Sequence, residues 1–166
     1  MILDHLRPLQ WYANSGKVKL KTVAEQLVVD ASVVAKLYLR DEQYTDKTDL
    51  LFSRFECGEV HLIAPRLITY EVPACIKKGS ARVSASEQVW RNALSSFESL
   101  GLSILDDSDA KAEATRLALS YACTYYDALY LLLAEDLGCR FITADDKLIK
   151  TLSSRVKYLL FLASYK

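Results

Sequence analysis

Four acidic residues stand where apolar segments begin or end: Asp30, Glu71, Asp127 and Asp145, with Asp146 directly after the last. None of the four has a lysine or arginine as its immediate neighbour in the chain. Brought to one place, such carboxylates repel one another unless a cation offsets their charge. An all-oxygen ligand set selects a hard ion, Mg²⁺ or Mn²⁺. An ion of that kind acidifies a bound water and polarises a phosphate. Each acid also has a reading as a helix cap: Asp127 at the mouth of an apolar helix, Asp30 before a helix starting at Ser32, and Asp145 or Asp146 before a short helix after them. Glu71 resists that reading best. It lies among Leu67, Ile68 and Val72, where an unpaired carboxylate is costly.

The elements that must position these residues are plainest in residues 126–146, YDALYLLLAEDLGCRFITADD. Residues 128–134 are unbroken apolar, Leu137 follows at helical spacing, and Gly138 stands where the residue after a helix belongs. A helix so apolar on all sides is buried on more than one of them. Residues 139–143 then have the pattern of a short buried parallel strand. About a dozen helical residues and about six strand residues both span roughly 18–20 Å. Helix and strand can therefore lie antiparallel, which puts Asp127 and the Asp145–Asp146 pair on the same edge of a sheet.

The rest of the chain repeats the alternation. Residues 26–29 read as the first core strand, ending at Asp30, and residues 32–39 as the helix after it. Residues 41–49 are polar, and a helix resumes through Leu50, Leu51 and Phe55 until Gly58. Residues 61–64 read as a second strand. Pro65 is placed to open a helix at its first turn, running to about Lys78 with Gly79 as its stop. Pro73 lies inside it and should kink it or delay its regular start, and Glu71 falls roughly 9 Å in from the edge at 1.5 Å per residue. Further helices are expected over residues 84–97, 109–121 and 146–152, and further strands over 102–105 and 156–162. Strands of this length between helices imply a parallel sheet with helices on both faces, whose working edge is the carboxyl end of the strands. Residues 1–25 form an extension in which Pro8 interrupts a leucine-rich face and Lys17, Lys19 and Lys21 alternate with Val18, Leu20 and Thr22; residues 26–166 form the domain.

Composition narrows the function classes. The 166 residues are 51% hydrophobic and 25% charged, which fits a globular chain. Lysine plus arginine equals aspartate plus glutamate at 21 each, so no net field draws the chain to nucleic acid or an anionic membrane, and any such contact is local. Cys57, Cys75, Cys123 and Cys139 form no CxxC pair and read as reduced, mostly core residues. Residues 158–163 are too short an apolar run to span a bilayer, and the N-terminus lacks the order of a signal peptide; a cytoplasmic protein is expected. His5 and His61 lack ligand spacing for zinc. There is no GxSxG, Walker or GxGxxG glycine pattern. Lys36, Arg40, Lys77, Lys78, Lys147 and Lys150 lie on helices opening from the acidic edge, either to hold phosphates or as solvated faces.

Three segments, LVVDASVVAKLYLRDE, PRLITYEV and YYDALYLLLAEDLGCRFITADDKL, resemble the successive signatures of PIN-domain proteins, in particular VapC-like toxin ribonucleases, in order and spacing over residues 27–162. The resemblance implies a Rossmann-like α/β/α sandwich with a mostly parallel sheet and a metal-dependent endoribonuclease activity. Its acidic site falls on Asp30, Glu71, Asp127 and Asp145. Ser32 and Thr143 match hydroxyl positions beside the first and last acids, and Asp146 is an additional acid. It also implies an RNA substrate, a cognate antitoxin that occludes the site, and commonly a toxin dimer; Leu50, Leu51, Phe52 and Phe55 crowd one helix as a partner surface or as core. Two departures mark this chain: Ala74 replaces an asparagine common three residues after the glutamate, and Pro73 precedes it. Two other readings stay open. An aspartate-nucleophile phosphotransferase of the haloacid-dehalogenase kind uses a strand-end aspartate and late acids, but wants a second aspartate where this chain has Ser32. A PIN module without catalysis would only bind RNA or protein.

Overall fold

A computed structural model describes residues 24–39 and 43–166. Five strands, β1 (Glu25–Val29), β2 (Val60–Pro65), β3 (Ser103–Leu105), β4 (Arg140–Thr143) and β5 (Leu159–Phe161), form one sheet in the order β3-β2-β1-β4-β5. Every pairing is parallel. Chain order runs outward from β1 through β2 to β3 and then returns to the other side for β4 and β5. The sheet therefore reverses direction between β1 and β4, the place where open α/β sheets form a crevice. Right-handed crossovers put the connections made in the two directions on opposite faces. The helices between β1 and β2 thus cover one face, and those leading to β4 and β5 the other, as an α/β/α sandwich requires.

Helix α1 (Ala31–Val34) and a 3₁₀ turn (Ala35–Leu37) follow β1. Then come α2 (Thr45–Glu56), α3 (Ile68–Arg82), α4 (Glu87–Glu98), α5 (Lys111–Tyr121), α6 (Tyr125–Leu137) and α7 (Asp146–Leu152). Helix α6 is the central one. It packs on β1, β2 and β4 and is backed by α5. Ala128 through Ala134 are all buried, as expected of a helix apolar on every side. Gly138 ends it in the left-handed conformation at φ 61°, which costs glycine no Cβ clash. Val28, Val29, Phe141 and Ile142 of the sheet are fully buried, and the Phe141 ring stacks on Tyr130 of α6.

Several expectations are corrected. Pro65 closes β2 and does not open a helix; the chain turns at Arg66 and Leu67, and α3 starts at Ile68. Glu71 consequently lies in the first turn of α3, nearer the edge than expected. The helix continues through Pro73 and past Gly79 to Arg82. Gly79 is a close-packing residue and not a stop: a Cβ there would fall 2.1 Å from Leu39 Cδ2. The last strand is half-buried and spans Leu159–Phe161, shorter than residues 156–162, with a 3₁₀ turn (Leu162–Ser164) after it. Of the crowded apolar residues on α2, Leu51 and Phe52 are buried in the core and Phe55 packs against it, which leaves Leu50 as the exposed one. The cysteines form no disulfide among the described residues, but Cys57 is exposed and the other three only half-buried. Among the described residues no single helix is long and apolar enough to cross a membrane. The leucine-rich and lysine-alternating parts of the N-terminal extension, and Arg40, lie outside the described residues.

Candidate active site

Asp30 leaves β1 beside the end of β4, because Val29 pairs with Ile142 and the Asp30 amide donates to the Ile142 carbonyl at 3.0 Å. It occupies the N-cap position of α1 with extended backbone, yet its side chain makes no capping bond. Its Oδ2 instead accepts from Ser32 Oγ at 2.7 Å and from the fully buried Thr143 Oγ1. Both hydroxyls are aimed by backbone: the Ala144 amide donates to Ser32 Oγ and the Asp145 amide to Thr143 Oγ1, each at 3.0 Å. Their own protons are thereby directed to the carboxylate. Burial pushes the Asp30 carboxyl above its usual range; the Thr143 and Ser32 hydroxyls hold it back, and the charge of Asp127 adds to the rise.

Glu71 reaches the same edge from α3. Its Oε2 accepts from the Tyr130 hydroxyl at 2.6 Å. Tyr130 is buried within α6, and its ring stacks on Phe141 of β4 with centroids 5.5 Å apart. Burial raises the Glu71 carboxyl, the Tyr130 hydroxyl opposes that, and the charges of Asp30 and Asp127 raise it further. The Tyr130 phenol is itself pushed far up, first by burial and then by Asp30 and Glu71, so it stays protonated and donates. These couplings place Asp30, Glu71 and Asp127 in one electrostatic neighbourhood.

Asp127 and Asp145 are held differently. Thr124, and not Asp127, is the N-cap of α6. Asp127 is its capping-box partner: Oδ2 accepts from the Thr124 amide at 3.1 Å and hydroxyl at 2.7 Å, while the Asp127 amide donates to Thr124 Oγ1 at 3.0 Å. Asp145 caps α7, its Oδ1 accepting from the amides of Lys147 at 2.7 Å and Leu148 at 3.1 Å. Asp146 is the exposed first residue of that helix. The capping readings of Asp127 and Asp145 thus describe real bonds, and that of Asp30 does not.

A common pattern links the acids. Each is anchored through one oxygen, namely Oδ2 of Asp30, Oε2 of Glu71, Oδ2 of Asp127 and Oδ1 of Asp145, and the second oxygen takes none of these bonds. A carboxylate fixed by one oxygen presents the other in a set direction, as orienting partners do for metal ligands. The donor set, all oxygen and mutually repelling, fits a hard divalent cation. Among the described residues no three acid, histidine or cysteine side chains are close enough together to form a ligand cage as they stand. The acids line one edge without closing on a point.

Tyr130 is the residue that sequence reasoning passed over as part of an apolar run. The signal was present: a phenol inside a buried helix needs a hydrogen-bond partner. The other candidates differ in burial. Lys36 is buried, with its ammonium 6.0 Å from the Tyr44 ring centroid, whereas Lys77, Lys78, Lys147 and Lys150 are exposed. His61 bonds Ser103 across β2 and β3 at 2.6 Å, a sheet contact.

Similarity to known proteins agrees with this layout. Ribonuclease VapC3 of Pyrobaculum aerophilum is 31% identical over 125 residues, covering 74% of this chain and 92% of the relative. A crystal structure of a Pyrobaculum aerophilum protein superposes with a TM-score of 0.62 at 24% identity, covering 85% of this chain and 86% of that one. A toxin–antitoxin complex from Klebsiella pneumoniae contains a chain matching at TM-score 0.54 and 18% identity, with 82% and 97% covered. These two share the fold. The PIN-domain family model matches residues 27–152, and with this sheet, its switch point and its acidic edge, the chain belongs to the PIN-domain family.

Proposed function

We propose that this chain is a divalent-metal-dependent endoribonuclease that cuts RNA phosphodiester bonds at the carboxyl edge of β1 and β4, and that it is the toxin of a toxin–antitoxin pair. The observation that carries the reading is the four-acid edge in which each carboxylate is anchored through one of its oxygens. Asp30, Glu71, Asp127 and Asp145 would hold Mg²⁺ or Mn²⁺. The bound ion would polarise the scissile phosphate and acidify the attacking water. The protein's part is orientation. Ser32 and Thr143 fix Asp30, Tyr130 fixes Glu71, and the first turns of α6 and α7 fix Asp127 and Asp145. Asp146 adds negative charge at the rim, and the exposed Lys147 and Lys150 stand on the helix that opens there.

The family supports this reading, as does the relative named a ribonuclease. An aspartyl-phosphate route is less well served, since the position two residues after Asp30 holds Ser32, which donates to Asp30 and has no carboxylate to act as acid or base. The resemblance to VapC-like toxins also supports a cytoplasmic setting, a homodimer and a cognate antitoxin. Co-purification with the product of the neighbouring reading frame tests the antitoxin, and failure of any neighbouring protein to relieve toxicity would count against it. The activity itself is tested on structured and single-stranded RNA with Mg²⁺, with Mn²⁺ and with chelator. Cleavage should require the ion and disappear in Asp30→Asn; full cleavage by that variant would refute the assignment.

A further inference from the structure

The aromatic residues of this chain are distributed unevenly between core and surface. Among the described residues only two aromatic side chains are exposed, Tyr70 at 71% and Tyr126 at 57%. Each immediately precedes an acid of the edge, Glu71 and Asp127. Each lies in the first turn of its helix, α3 and α6, and the 2.6 Å hydrogen bond between Glu71 and Tyr130, one turn after Asp127, joins the starts of the two helices. Neither ring belongs to the core or packs against it. Tyr126 makes an edge contact with its neighbour Tyr125 at 6.1 Å between centroids. Single exposed apolar groups need no explanation. Here every other described aromatic is at least half-buried, and both exceptions adjoin the site.

Resting on the ribonuclease reading, we infer that Tyr70 and Tyr126 are stacking platforms that hold unpaired RNA bases beside the acidic edge. Successive helical residues point about 100° apart, so each ring leaves the same turn as its acid but to one side, where a base next to the cut could lie. Electrostatics favour such contacts. The chain has no net charge, and a row of carboxylates repels a phosphodiester, so the counterion release that usually drives nucleic-acid binding is weak. Stacking on an aromatic face supplies affinity without net positive charge. Bases within an A-form duplex are already stacked and unavailable to a side chain, whereas those of loops and single strands are free.

The test is an anisotropy titration in chelator of a labelled mixed-sequence single-stranded RNA, and of the same strand annealed to its complement. The wild type should prefer the single strand. Tyr70→Ala and Tyr126→Ala should each weaken that complex roughly 5- to 150-fold per stacked base, while Tyr70→Phe and Tyr126→Phe keep it and duplex binding does not move. Both positions are exposed, so thermal melts should match the wild type. Unchanged single-strand affinity in the double alanine variant would overturn the inference, as would equal losses in the phenylalanine variants or on duplex. So would intact RNA binding with loss of a co-purifying protein, which would assign the tyrosines to a protein interface. A wild type that neither binds nor cleaves RNA removes the ribonuclease reading as well; one that cleaves while the double variant binds RNA equally well removes this inference alone.

Discussion

The two halves of the acidic edge hold the same kind of side chain in opposite ways. Asp30 and Glu71 are held by the hydroxyls of Thr143, Ser32 and Tyr130, and burial works against their charge. Asp127 and Asp145 are held at helix starts by groups that favour a negative charge, a capping box on α6 and two backbone amides on α7. The outer pair is useful to the fold whether or not an ion is present. In the metal-free fold burial opposes the charge of the inner pair, and a bound cation would offset that opposition. A carboxylate that stabilises a helix is weak evidence of function, whereas one that the fold bears at a cost is strong evidence.

The largest effect that would break this contrast is on cleavage. Asp30→Asn and Glu71→Gln should each reduce ion-dependent RNA cleavage on the order of 10²–10³-fold, since several kcal/mol of phosphate stabilisation goes with the ion. Thermal melts in chelator should stay level or rise, because a buried charge has been removed. A variant that loses activity and fold together would make the inner pair structural after all.

Next in size is Tyr130→Phe. Losing the hydroxyl frees Glu71 to turn, and loss of such an orienting partner typically weakens metal affinity about 10- to 100-fold. Calorimetry on a variant whose stacking on Phe141 is unchanged reads this directly, and equal affinity would leave Tyr130 as a core residue that merely satisfies its own phenol.

Substitutions at Asp145 sharpen the outer half. Asp145→Ala should destabilise the fold by about 1 kcal/mol through loss of the α7 cap, and Asp145→Asn by almost nothing, because asparagine caps equally well. If Asp145 also holds the ion, the asparagine variant should still lose Mn²⁺ affinity. Urea denaturation and calorimetry on the same samples separate the two roles.

The smallest effect is one of pH. Asp30 and Glu71 have carboxyls raised above their ordinary values of 3.8 and 4.5, so the metal-free fold binds their protons more tightly than the unfolded chain does. That contribution is complete below those ordinary values and is lost as pH rises through the folded ones. The stability of Asp30→Asn relative to wild type in chelator should therefore grow from acid pH upward and level off only above the folded value of the Asp30 carboxyl. A flat difference would mean that burial does not oppose the Asp30 charge.

How far the molecule could be read from its sequence follows the same division. The acids were legible because strand ends and helix starts are marked by abrupt changes from apolar to polar, and the α6–β4 unit because residues 128–134 and Gly138 leave little choice of structure. Ser32 and Thr143 came through family resemblance; a hydroxyl's partner 111 or more residues away in sequence leaves no local trace. Pro65 suits both a helix opening and a strand end, and only its pairing with Leu105, a tertiary contact, decides for the strand. Gly79 has the residue type of a helix stop, and the reason it stands inside α3, the approach of Leu39, is tertiary. Neither a phosphate contact nor a solvated face describes the buried Lys36, because the packing of its short helical segment against α2 and α3 is tertiary and leaves no local trace.

The central claim is that the inner carboxylates are there for a cation. A calorimetric titration of Mn²⁺ into the wild type and into Asp30→Asn, both verified as folded, tests it most directly. The account predicts saturable binding by the wild type and its loss in the variant; equal binding by both proteins would contradict it.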